Sequence, residues 1–326
     1  MVDLKNMSFL NNCNFKKISG DASFREFYRG SQSILVYSKK EKKKNLLIYD
    51  SINRILQKNK INAPKLIKEN YKNNYIEIQD LGDTQALEVI KKKKNKKDLY
   101  KEIISLLIKI QKIKEKKITD FNGEQYKIPF YNRKLIFDEA KLFIDWYIPS
   151  TVKTLNNSYN KKNLRRIIQK LISNLQLSKR VLVHRDFHIS NIMIHKKKMY
   201  LIDSQDAVIG NIAYDLASLV DDVRFKTGKD LKEEIYDFYM KKNKHKINKD
   251  KFKNDFEILS VLRNLKIIGI FTRLAKRDNK KTYLKMIPYC WKLIQNRAKD
   301  KKVFKDLRIF LARKEFRKFI KFNEKN

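Results

Sequence analysis

The sequence predicts an α+β protein with a small mixed lobe followed by a large helical one, and three observations carry that prediction. Up to about residue 82, short aromatic and β-branched runs alternate with turns. From Asp83 onward apolar residues recur at three- and four-residue steps, the period of a helix with one buried face. Strand-like runs then return once, between 181 and 203, as a β-hairpin island inside the helical part. We place the small lobe at 1–82 and the large lobe at 83–326, with a short connector at 79–83.

The elements follow in order. "FREFYRG" (24–30) and "SILVYS" (33–38) are separated by Gly30 and Ser31 and read as a hairpin. A helix over about 44–59 stops before "NAP" (62–64), because Pro64 disfavours helix in the residue ahead of it. "KLIKENYKNNYIEIQDLG" supplies two strands around a "KNN" turn and closes at Gly82. Asp83 or Thr84 can cap the helix "QALEVIKKKK", and 98–114 repeats Leu99, Ile103, Leu106, Ile110 and Ile113 at helical spacing. "NRKLIFDEAKLFIDWYI" (132–148) and "NLRRIIQKLISNL" (163–175) continue the helices. "VLVHR", "NIMIH" and "MYLID" are the strands within 181–203, and helix resumes at 212–223. No internal repeat is visible.

Composition narrows the class. With 42% hydrophobic and 11% aromatic residues in 326, each lobe can bury a core, which excludes wholesale disorder. The two cysteines, Cys13 and Cys290, form no CxxC pair for zinc or redox work and suit a reducing compartment. No apolar run approaches the roughly 20 residues that span a bilayer, and no signal peptide is visible, so a soluble cytoplasmic protein without membrane partners is expected. The net charge of +40 admits a polyanionic partner. Yet the runs "KKEKKK" (39–44), "KKKKNKK" (91–97) and "KKNKHKINKDKFK" (241–253) mostly lack the interleaved aromatics that stack on bases. Together with abundant Asn and Ile they look like drift toward AT-rich codons, and no specific nucleic acid is expected.

The chemistry concentrates in "VLVHRDFHISNIMI" (181–194), where a dense polar loop is bracketed by strand formers. A rigid scaffold holding a polar loop is the usual way to present reacting groups. Asp186 is followed five residues later by Asn191, and twelve further on by Asp203 at the end of a strand. One carboxylate can orient a hydroxyl while an amide oxygen and a second carboxylate hold Mg²⁺ against phosphate oxygens. Phosphoryl transfer needs these parts and little covalent help. His188 and His195 have no partner at metal-ligand spacing and read as surface or supporting residues.

"HRDFHISN…LIDSQDAVIGNIAYDLASLVDD" is similar to the aminoglycoside phosphotransferase and choline kinase superfamily, whose fold is protein-kinase-like and bilobal. "GDASFREFYR" (20–29), "LFIDWY" (142–147) and "RNLKIIGIFTRLAKRDNKKTYL" (263–284) further resemble bacterial kinases that phosphorylate N-acetylmuramate and N-acetylglucosamine at the anomeric carbon. The resemblance implies ATP as donor and Mg²⁺ as cofactor, with Asp186 as catalytic aspartate and Asn191 and Asp203 as metal ligands. It implies that His184 and Asp215 support the loop, that Gly20, Asp21 and Ser23 belong to a loop covering the nucleotide, and that Asp80 and Leu81 lie in the hinge that meets adenine. Asp206, Asp145 and Trp146 are candidates for the sugar site; Asp206 can equally cap a turn, and a Trp146 on an amphipathic helix is more often core than sugar platform.

Two departures stand out. "SILVYS" has no lysine inside the strand, and the following helix offers Asp50 and no glutamate, so the usual Lys–Glu pair of kinases is missing. Ser204 follows Asp203 where the family pattern has phenylalanine. The alternatives are a kinase for another hydroxylated metabolite or an aminoglycoside, and, in a different class, a non-catalytic protein that binds RNA or an acidic polymer.

Overall fold

The protein is described by a computed structural model over residues 15–18, 25–38, 44–93, 95–243 and 247–321. Gly20, Asp21, Ser23 and Cys13 lie outside the described residues. The chain divides into two compact units that interleave in sequence. One comprises 1–94, 112–129 and 189–207, the other 95–111, 130–188 and 208–326.

The first unit is organised by a five-stranded antiparallel sheet. β1 (Lys16–Ile18), β2 (Glu26–Arg29) and β3 (Ser33–Tyr37) run in order, then β5 (Tyr75–Gln79) and β4 (Leu66–Asn70) complete it. Period-two alternation divides β3 between two faces. Ile34 and Val36 pack with Ile76 and Ile78, while Leu35 packs with Tyr28 and Tyr75 on the other side. Leu46 and Tyr49 of α1 (Asn45–Lys58) cover the first face. The turn after α1 is held by Gln57, whose amide donates to the carbonyls of Ala63 (3.1 Å) and Pro64 (3.0 Å).

Two hairpins join this unit from later in the chain. β6 (Lys117–Thr119) and β7 (Gln125–Lys127) were not expected from the sequence. They form because the Asp120 carboxylate accepts the N–H groups of Asn122 (2.9 Å) and Glu124 (3.1 Å), with Gly123 at φ +84°. β9 (Ile192–His195) and β10 (Lys198–Leu201) turn through Lys196 and Lys197, both at positive φ, the backbone of a two-residue hairpin turn. This second hairpin is stitched to early residues. Leu201 N–H donates to Asn62 O (2.9 Å), Asn62 Nδ2 to Met199 O (3.0 Å) and Ile194 N–H to Thr84 O (2.8 Å).

Thr84 and Asp83 therefore do not cap the next helix, against expectation. α2 spans Ala86–Lys92 with Gln85 at its N-cap and no side-chain cap bond. The Asp83 carboxylate instead pairs with Arg29 (2.9 Å).

The second unit is mainly helical: α3 (Lys97–Ile110), α4 (Arg133–Ala140), α5 (Ile148–Thr151), α6 (Ser158–Ser173), α7 (Tyr214–Val220), α8 (Lys229–Lys242), α9 (Lys249–Arg277), α10 (Ile287–Ala298) and α11 (Lys305–Leu311). The 132–148 stretch is not one helix. It breaks after α4 into a π-helical turn over Phe143–Tyr147 before α5. Phe143 stacks on Tyr147 at 5.2 Å, and Trp291 meets Tyr147 at 5.7 Å, so Tyr147 is core. Gly269 of α9 faces this turn: a Cβ there would sit 2.3 Å from Leu142 C and 2.6 Å from Phe143 N. The two sequence stretches at 142–147 and 263–284 thus pack directly on each other. Strands are also present beyond 203. β11 (Val208–Asn211) pairs antiparallel with β8 (Arg180–Val183), Val208 opposite Val183. Among the described residues no helix is long and apolar enough to cross a membrane.

Candidate active site

The polar loop starts where β8 ends. His184 is buried, and its N–H donates to Asp215 Oδ2 (2.7 Å), while Arg185 N–H donates to Oδ1 (3.1 Å). Asp215 lies at the start of α7, fully buried, and accepts both bonds from directly beneath the loop. Burial pushes its carboxyl up to about 6 despite those donors. Arg185 sits at φ +73°, so the chain turns sharply there and Asp186 follows.

The surroundings of Asp186 are cationic. Burial alone would raise its carboxyl, but Lys266, Arg263 and Arg224 outweigh that and hold it well below the usual carboxylate range. Arg263 and Lys266 are three apart on α9 and therefore share a face; both are buried. Lys266 is 3.1 Å from Glu139 of α4, which also pairs with Arg185 and accepts the Tyr131 hydroxyl. Burial would raise Glu139 too, yet Lys266 and Arg185 keep it below its ordinary value. His188, also buried, is pushed well down by burial and by Arg224, so it stays neutral. Two carboxylates, Asp186 and Glu139, thus face four cations. One guanidinium nitrogen of Arg263, Nη1, is buried without a hydrogen-bond partner.

In the first unit, Asn191 and Asp203 stand at the open end of the β9–β10 hairpin. Ile202 N–H donates to Asn191 O (3.1 Å), extending the ladder one step past the Ile192–Leu201 pair. Asp203 then adopts φ +64°, a left-handed conformation that aspartate tolerates. Its Oδ1 accepts from Arg25 Nη2 (2.7 Å) and Gln205 Nε2 (2.9 Å). An amide oxygen and a partly exposed carboxylate at one hairpin end are hard donors of the kind Mg²⁺ takes, few and leaving room for water and phosphate. Ser204 is buried, and its hydroxyl donates to Asn53 Oδ1 of α1 (2.6 Å). A polar residue follows Asp203 because a polar partner waits on the helix.

The other sequence candidates are placed as follows. Asp80 is bound by Arg29 Nε (2.8 Å) and caps Gly82 N–H (2.8 Å), so its carboxylate shapes the connector. Leu81 is buried, and its carbonyl lies 3.1 Å from His195 Nδ1. Asp206 is exposed at the end of the Ser204–Asp206 turn. Asp145 is exposed and 3.5 Å from Lys141, and Trp146 is half-buried, both on the π turn. Sequence reasoning named Glu139 only as a carboxylate of a possible acidic pocket, and did not single out Arg25, Arg224, Arg263 or Lys266. A signal existed for two of them: Arg263 and Lys266 are charges inside the apolar run "LSVLRNLKIIGIF".

Comparison with known proteins decides the family. The APH family, described as "Phosphotransferase enzyme family", matches residues 14–245. The chain belongs to it. This APH-family phosphotransferase is therefore a kinase, and a nucleotide with a small-molecule acceptor is typical of its family. It is 26% identical over 279 residues to an N-acetylmuramate/N-acetylglucosamine kinase of Pseudomonas putida, covering 83% of this chain and 79% of that one. A Neisseria meningitidis protein of the same description is 26% identical over 282 residues, covering 83% and 81%. Among solved structures, the gentamicin complex of APH(2")-IIa superposes with a TM-score of 0.64 at 15% identity, covering 89% of this chain and 96% of that one. An ethanolamine kinase of Plasmodium vivax gives 0.60 at 13% identity, covering 91% and 86%. The five-stranded antiparallel sheet followed by a mainly helical region is the protein-kinase-like fold of these enzymes.

Proposed function

We propose that this kinase transfers the γ-phosphoryl group of ATP to the anomeric hydroxyl of N-acetylmuramate or N-acetylglucosamine, in cytoplasmic recycling of cell-wall sugars. The observation that carries this reading is the cationic setting of Asp186, with Lys266, Arg263 and Arg224 around it. A polycationic aminoglycoside or a quaternary amino alcohol would meet like charge there, which costs affinity. A neutral or anionic sugar would not. The likeness to amino-sugar kinases over more than four-fifths of the chain supports the same choice.

In this mechanism Asp186 accepts a hydrogen bond from the acceptor hydroxyl and aims its oxygen at the γ-phosphorus. The new P–O bond forms as the bond to the β-phosphate oxygen breaks, ADP leaves, and the hydroxyl proton passes to Asp186. A carboxyl held below its ordinary range is a weak base, so its main contribution is orientation, with proton transfer late. An anomeric hydroxyl, more acidic than an ordinary alcohol, suits that weak base. Asn191 and Asp203 would hold Mg²⁺, which when bound neutralises charge on the phosphate oxygens. Asp215 fixes the loop that carries Asp186, and Glu139 holds Arg185 and Lys266 in place.

Product analysis tests the reading. Purified protein with MgATP is offered amino sugars, aminoglycosides and amino alcohols, and products are followed by phosphorus NMR. An anomeric sugar phosphate is expected. Phosphorylated kanamycin or choline with inert amino sugars would overturn it.

A further inference from the structure

The absence of a lysine within β3 leaves open which residue of the first unit holds the nucleotide phosphates. The carboxylate that α1 offers, Asp50, faces Arg54 of the same helix at 3.6 Å. A different cation reaches the same neighbourhood. Arg25, immediately before β2, is only 6% exposed and extends its guanidinium to Asp203. Phe27 and Tyr49 hold it from the sides, with ring centroids at 5.6 and 5.4 Å. Cation–π contact with two rings steadies a buried guanidinium without needing a glutamate from the helix.

We infer that Arg25 is the phosphate-anchoring cation of this enzyme, delivered from the neighbouring strand in place of a lysine on β3. The inference rests on the kinase reading above. Three features beyond the missing lysine support it. Arg25 and Asp203 converge at 2.7 Å, so a cation for phosphate oxygens and a carboxylate for the metal stand side by side. The guanidinium is planar and presents several donors in a fixed fork that matches two phosphate oxygens at once. Asp203 keeps 38% of its side chain exposed, so an incoming metal-bound phosphate can reach the carboxylate and, with it, the guanidinium at its side.

A purely structural Arg25–Asp203 pair makes a different forecast, and a ladder of ligands separates the two. Binding of adenosine, ADP and ATP, each with Mg²⁺, is measured by calorimetry on wild type, Arg25→Met and Arg25→Lys. Removing a buried charge-assisted contact to phosphate should weaken ADP and ATP at least about tenfold in Arg25→Met. Adenosine, which has no phosphate, should bind as to wild type. Arg25→Lys keeps the charge but not the fork, so it should lose less, with ATP still weaker than in wild type. If Arg25→Met does not fold, Arg25→Lys carries the test alone. Wild-type affinity for ADP and ATP in the variants overturns the inference. So does an equal loss of adenosine, which marks Arg25 as scaffold. Wild type that binds no MgATP would sink the kinase reading itself, and Arg25 with it, a result distinct from variants that match a competent wild type.

Discussion

Replacing Gly269 by alanine tests the close approach of α9 to the π turn. A Cβ at this position would lie 2.3 Å from Leu142 C, 2.5 Å from Leu142 O and 2.6 Å from Phe143 N. Carbon atoms in ordinary contact sit about 3.5–4.0 Å apart, so the turn must retreat by roughly 1 Å or more. The atoms in the way are backbone, not the end of a flexible side chain. Their retreat would disturb the π turn that buries Phe143 and Tyr147. Alanine in place of glycine should gain about 1 kcal/mol of helix propensity. Overpacking typically costs about 1–3 kcal/mol and occasionally more, and a backbone obstacle belongs at the upper end. We expect a net loss of about 2 kcal/mol. Urea titration should show a lower midpoint at unchanged slope. Gly228→Ser, at a helix N-cap with open space around it, should cost nothing and serves as the control. An alanine variant as stable as wild type, or more so, would refute the close approach.

Three further predictions concern the site. Asp186→Asn should lower kcat by about 10²–10⁴ while MgATP affinity stays unchanged, because the lost group orients the acceptor; wild-type turnover would remove Asp186 from its role. Asp215 has a carboxyl raised to about 6 in the folded state. Its stabilisation is therefore complete below the unfolded value near 4 and is lost as pH rises through about 6. The stability of wild type relative to Asp215→Asn should fall by about 3 kcal/mol between pH 4 and 8, and a flat difference would contradict the burial argument. Ser204→Ala leaves Asn53 Oδ1 buried without its donor and should cost about 1–3 kcal/mol in a urea titration; a neutral change would mean the bond to α1 is not formed.

What was legible in the sequence was local. The β2–β3 hairpin, α1 and the β4–β5 pair follow from alternation and turn residues that act within a few positions. The π turn was not legible, because "LFIDWY" keeps an apolar spacing that a regular helix satisfies equally well. It is set by the approach of α9 at Gly269, more than a hundred residues away. β11 was missed because "VIGN" is a four-residue run without alternation, made a strand by pairing with β8. The polar loop could be read from its spacing. Its electrostatic setting could not, since Glu139, Arg224 and Lys266 come from three separate segments and meet only in the fold. Arg25 escaped notice for the same reason: its partner Asp203 is distant in sequence.

The stitching of the β9–β10 hairpin to Asn62 and Thr84 has a consequence for biosynthesis. A chain emerging from the ribosome delivers all five strands of the sheet by residue 79, yet the segment that satisfies those early backbone groups arrives only at 192–201. Closing contacts of such long sequence separation is slow, and until the hairpin docks the early segment leaves the polar groups of Asn62 and Thr84 without these partners and the apolar surface beside them open. The nascent N-terminal part should therefore remain a client of chaperones until the hairpin docks. Its expression alone, as residues 1–94, should give an aggregation-prone fragment, and adding the hairpin segment in trans should rescue its solubility.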